Sequence, residues 1–189
     1  MVLELNQVVI SGEEHTFSMI APSGKLTVIT GGNAERRRRL FQAILGFVPV
    51  LQGYVSIDGE PLSATTVSEF RQLFSYAPPL LPPVGEVHPY KPPTVQEVFN
   101  LRANRSVAIS NGILAEEMKR LSPADDCDPE QVRLLAVATL LCRPVLLASS
   151  PPPSAASHLC SYARHGRVVV AESDDQLFID GCDQIVELT

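Results

Sequence analysis

Residues 27–47, TVITGGNAERRRRLFQAILGF, decide how the chain is read. An apolar run of strand-forming residues at 26–29 meets two glycines, Gly31 and Gly32. Leu40, Phe41, Ile44 and Leu45 then recur at helical spacing, and Gly46 is placed to close the helix. The spacing predicts a helix over 37–45. Strand, glycine turn and helix is the order of a phosphate-binding loop, in which successive backbone N–H groups gather round an anion at a helix N-terminus. Here, however, four arginines (Arg36, Arg37, Arg38 and Arg39) stand where a lysine and a hydroxyl would serve a nucleotide.

On the N-terminal side, 3–10 and 15–20 alternate apolar and polar residues as half-buried antiparallel strands do, with a turn at Pro22-Ser23-Gly24. On the C-terminal side, 54–57 alternates, Asp58-Gly59 reads as a hairpin turn, 68–73 as a short helix and 74–76 as a strand. The stretch PPLLPPVGEVHPYKPP (78–93) holds too much proline for a helix or a central strand and is expected as a surface loop. Val84, Val87 and Tyr90 could present an apolar contact there. Helices are expected over 94–101, with Thr94 and Glu97 as a capping box, and over 113–121. A polar turn at 122–128 then leads to Pro129, which opens a largely apolar, buried helix over 130–142. Apolar runs at 145–148, 167–171 and 184–188 are expected as strands, and SSPPPS (149–154) as a loop. Helices alternating with apolar strands imply an α/β fold whose mostly parallel sheet is covered on both faces, with an N-terminal antiparallel layer.

Composition narrows the function. The chain has 189 residues, 45% hydrophobic and 19% charged, enough for one domain with a small inserted subdomain. A net charge of −6 argues against general nucleic-acid binding, which needs basic surface. Cys127, Cys142, Cys160 and Cys182 form no CxxC pair and read as free thiols. No signal peptide or membrane-spanning run is legible. The expected location is the cytoplasm, with a peripheral position at the inner face of the membrane left open.

Several segments in order resemble the ATP-binding domain of ABC transporters. AILGFVPVLQGYVSIDGEPL (43–62) is similar to the stretch after that family's phosphate loop. FSYAPP (74–79) with Arg71 resembles the run-up to the Q-loop, and TVQEVF (94–99) a helix start beyond it. EQVRLLAVATLLCRPVLL (130–147) resembles the helix and strand between signature and Walker B. SAAS (154–157) resembles the D-loop and CDQIVEL (182–188) the closing strand. The resemblance implies a P-loop NTPase (RecA-like) core formed by 1–78 and 130–189, with a reduced, proline-rich helical subdomain at 79–129. It implies ATP and Mg²⁺ as the family's cofactors. An intact ABC-type ATPase, a membrane permease subunit or a second copy are the partners it implies.

Carried over position by position, the resemblance places the phosphate loop on Gly31, Gly32, Asn33, Ala34, Glu35, Arg36, Arg37 and Arg38. Arg37 falls at the lysine, and Arg38 at the hydroxyl that would hold magnesium. Walker B carboxylates fall on Ser149 and Ser150, the Q-loop glutamine on Pro79, and the switch histidine near Ser173-Asp174. The signature falls on Asp126, Cys127, Asp128, Pro129 and Glu130. No aromatic occupies 8–11, where the family stacks adenine. Loss of the metal ligands, base and lysine together removes the positioning on which phosphoryl transfer depends. The expectation is an inactive, structural or regulatory subunit with no catalytic residue, no metal and no cofactor. Two alternatives stay open: a divergent subunit that still binds or hydrolyses ATP at a composite site, and an anion-binding module built on Arg36–Arg39.

Three readings of the arginines are weighed: a solvated basic patch, a site paired with Glu35 or with a carboxylate from a partner's 125–128 loop, and residual phosphate binding. Ser149, Ser150 and His158 invite a hydrolase reading, but no acid is spaced to orient the histidine and no GxSxG elbow exists. His15, His88 and His165 are too scattered for a metal cluster.

Overall fold

The fold is described from a computed structural model, which covers residues 1–80, 109–123 and 127–188. The proline-rich loop beyond Leu80 and the helix expected over 94–101 lie outside the described residues, as does Asp126.

Two sheets form the frame. β1 (Val2–Ile10) pairs antiparallel with β2 (Phe17–Pro22) on one side and β4 (Val50–Ile57) on the other. Asp58 (φ +52°) and Gly59 (φ +83°) turn β4 into the two-residue strand β5 (Glu60–Pro61). This completes the order β2-β1-β4-β5. The second sheet is parallel throughout, in the order β6-β7-β8-β3-β9. Its strands are β3 (Leu26–Thr30), β6 (Phe74–Ala77), β7 (Val145–Ser149), β8 (Val168–Glu172) and β9 (Gln184–Glu187).

The period-2 geometry of strands divides their side chains between two cores. Ile29, Val145, Leu147, Val168 and Val170 face the antiparallel layer and α1 (Ala34–Ile44). Leu26, Val28, Leu146, Ala148, Val169 and Ala171 face the opposite helical layer. That layer contains α3 (Asn111–Leu121), α4 (Pro129–Leu140), α5 (Ala156–Arg164) and α6 (Gln176–Asp180). The short α2 (Val67–Leu73) leads into β6. Covering both faces is why β7 and β8 are continuous apolar runs.

α1 begins three residues before the helix expected from periodicity. Asn33 adopts extended backbone and its Oδ1 accepts the Arg36 N–H at 2.8 Å, so the helix is capped ahead of the arginines. At the other end Phe47 N–H donates to Gln42 O at 2.8 Å and Gly46 N–H to Ala43 O at 3.0 Å. This is a Schellman closure that needs the left-handed torsion of Gly46 (φ +71°). Neither α5 nor α6 was expected from periodicity. SAAS (154–157) spans a 3₁₀ turn and the first turn of α5, and α6 is a five-residue helix capped by Asp175.

Candidate functional site

The carboxyl ends of β3, β6, β7 and β8 converge on a cleft of about 530 Å³, the place where open parallel sheets gather ligands. Ala34, Arg37, Pro79, Asp128, Ser150 and Asp174 line it, together with Pro151, Pro152 and Pro153.

β3 ends at Thr30 and α1 begins at Ala34, so only Gly31, Gly32 and Asn33 link them. Gly31 (φ +75°) and Gly32 (φ +58°) turn the chain sharply against β9. A β-carbon on Gly31 would lie 3.0 Å from Leu188 O. Residues 34–36, which the resemblance assigns to the cradle, are wound into helix.

Arg37 turns inward from that helix and is 2% exposed. Its Nε donates to Glu172 Oε2 at 2.9 Å and one terminal nitrogen donates to Gly31 O at 2.7 Å. The other terminal nitrogen bonds Asp174 Oδ2. Burial alone would lower the guanidinium pKa. Hydrogen bonds and charge from Glu172 and Asp174 outweigh it and raise the value, so the cation is fixed. Glu172 is itself 2% exposed and also accepts from Ser150 Oγ at 3.3 Å. Ser150 sits in the left-handed region (φ +46°), with its N–H bonded to Glu172 O at 2.9 Å. Ser149 is buried, and its Oγ pairs with Tyr76 OH at 3.2 Å. Burial foremost raises the Tyr76 phenol pKa, and the nearby Glu172 adds to it.

The arginine run is therefore no uniform patch. Arg36 pairs with Glu13 at 2.6 Å and Arg39 donates to Ser11 O, which ties the 11–13 loop over α1. Arg38 is partly exposed, close enough to Tyr76 for its charge to act on the phenol. The counter-charges expected from Glu35 or from a partner's 125–128 loop come instead from Glu13, Glu172 and Asp174 of the same chain. Glu35 is exposed at the helix start. Between Ile10, His15, Phe17, Arg36, Leu40 and Leu188 only about 10 Å³ stays open, room for a single water at most.

Among the signature positions, Asp128 caps α4 by accepting Glu130 N–H at 2.8 Å, and Pro129 is the first residue of that helix. Glu130 pairs with Arg133 at 2.7 Å. Cys127 and Asp128 border the cleft, as Pro79 does at the Q-loop position.

The hydrolase constellation is not assembled, for a reason other than the one expected. An acid does hold His158: Glu117 of α3, with Oε1 2.9 Å from the ring Nε2, although 41 residues separate them. Thr139 Oγ1 donates to the same oxygen at 2.8 Å. Ser149 and Ser150 bond Tyr76 and Glu172 instead. Among the described residues no group of three or more metal-ligating side chains could hold a metal ion. No described helix is long and apolar enough to cross a membrane.

Sequence reasoning missed Glu172. The available signal was AESDD (171–175), three carboxylates directly after a buried strand, opposite arginines that needed partners.

A parallel sheet with an antiparallel layer, helices on both sides and a glycine turn into α1 is the fold of ABC transporter ATP-binding subunits, as the solved structures it matches bear out. One such structure, the ATP-binding subunit of an ABC transporter, superposes with a TM-score of 0.71 at 18% identity, over 100% of this chain and 86% of that one. A putative ABC transporter ATP-binding protein from Pyrococcus furiosus gives 0.71 at 13% identity, over 100% and 98%. CbiO1 from Clostridium perfringens, part of the cbiONQ transporter complex, gives 0.63 at 15%, over 98% and 83%. At such identities the likeness speaks for the fold alone. No protein-family model matches the chain, and no curated protein matches it.

Proposed function

We propose that the protein is a catalytically inactive relative of ABC ATP-binding subunits, with a structural or regulatory role, docked on a partner ATPase or a membrane component. The observation that carries this reading is the buried Arg37 guanidinium, held by Gly31 O, Glu172 and Asp174 at the lysine position of the phosphate loop. A lysine there presents a compact charge to phosphate. A guanidinium locked on two carboxylates and a backbone carbonyl has its donors committed within the chain.

ATP and Mg²⁺ fit these residues poorly. The linker is three residues long, so few N–H groups are free to curl round a phosphate. Ser149 and Ser150 offer no carboxylate to magnesium or to a water nucleophile, and both hydroxyls are engaged. Glu172, Asp174, Asp175 and Asp128 place four carboxylates against one arginine around the cleft, a field that repels a polyphosphate. A subunit role is supported by the kind of neighbour, since cbiO1 works as part of a complex.

Thermal-shift and hydrolysis measurements with Mg-ATP test inactivity. The expected result is no rise in Tm and no phosphate release above background. Binding with ligand at a hundredfold Kd would add about 2.7 kcal/mol and shift Tm by several degrees, which would overturn the proposal. Isolation of the native complex tests the subunit role, with a lone chain under gentle conditions counting against it.

A further inference from the structure

The outer edge of β4 stands apart from the other strand edges. β5 pairs with β4 only at Ser56 and Ile57, and Leu62 N–H reaches Val55 O at 2.7 Å. From Val50 to Tyr54 no described residue bonds the backbone on that side. Elsewhere the edges carry protection. β9 presents Gln184 and Glu187, and the Gln184 side chain donates to Ile20 O of β2 at 3.0 Å.

The open edge is also apolar. Phe47 and Leu51 are each 65% exposed and Tyr54 43%. Beside them runs a groove of about 320 Å³ whose lining, Val48, Pro49, Val50, Tyr54, Leu62 and Val67 among others, includes no charged side chain. Between Arg39 and Asp58 the sequence has no charge at all, in a chain whose net charge is −6. Two copies repel each other across most of their surface, and this face is exempt.

We infer that the β4 edge pairs with the same edge of a second copy, antiparallel about a two-fold axis. A short strand run antiparallel against itself is its own complement, which a two-fold interface requires. The pairing satisfies the free N–H and C=O groups and brings Leu51 and Tyr54 of each copy toward the groove of the other. The three exposed side chains offer about 300 Å² per copy, or about 600 Å² across the pair. That lies well under the roughly 1,600 Å² of a standard interface, so the dimer is weak and concentration-dependent. The inference does not rest on the loss of ATPase activity.

Sedimentation velocity across a concentration series tests it. The untouched chain is expected to move from monomer toward dimer as concentration rises. Leu51→Lys and Tyr54→Lys place a charge at the contact and are expected to keep the chain monomeric with unchanged Tm, because both side chains are exposed. Ile185→Lys, on the edge strand β9, is expected to dimerise as the parent does. A parent chain that stays monomeric at every concentration overturns the inference. So does a dimer that survives both β4 substitutions, or one that Ile185→Lys dissolves.

Discussion

Replacing Glu172 by alanine leaves the Arg37 guanidinium buried with its main counter-charge gone. Both side chains are 2% exposed and 2.9 Å apart, so water cannot take over the lost contact. Breaking a buried pair from one side costs about 3–5 kcal/mol, which for a domain of this length lowers Tm by about 6–20 °C. Asp174, the second carboxylate on Arg37, is 65% exposed, and Asp174→Ala should cost about 1 kcal/mol or less. The double replacement Arg37→Met with Glu172→Leu removes both charges at once and should lose less than its two single changes added together. Differential scanning calorimetry of the parent and these variants measures all the terms. If Glu172→Ala shifts Tm no further than Asp174→Ala, or if the double replacement is additive, Arg37 is not held as described. The account of the blocked loop would then fall with it.

Two further predictions concern other parts of the molecule. Burial acts first on Glu117, pushing its pKa up, but hydrogen bonds from His158 and Thr139 outweigh it and leave the carboxyl below its ordinary 4.5. A depressed carboxyl stabilises the fold above its unfolded pKa and loses that contribution as pH falls through the folded one. Thermal midpoints of the parent should therefore fall more steeply below pH 4.5 than those of Glu117→Gln; parallel curves would contradict this. Among the thiols, Cys142 is exposed, whereas burial raises Cys160 to about 11 and Cys182 to about 12. A maleimide at neutral pH should modify Cys142 in the native protein and reach Cys160 and Cys182 only after denaturant, as read by intact mass. Early modification of the latter pair would show that α6 does not shield them.

The sequence alone determined the layers and the order of the elements. Alternating residues at 3–10, unbroken apolar runs at 145–148 and 167–171, and Gly46 after a helical period are local patterns. Each follows from the repeat of its own element and from which faces that element must bury. The start of α1 was less legible, because arginines suit a helix or a basic loop equally and only the Asn33 cap fixes where winding begins. Tertiary structure alone decided what the arginines do. Arg37 meets Glu172 across 135 residues, and His158 meets Glu117 across 41. Partnerships of that kind arise when parallel strands bring distant chain segments to one sheet end, and no local periodicity records them. An arginine run in a sequence states a charge. Whether that charge faces solvent, a ligand or a buried carboxylate of the same chain is settled by packing.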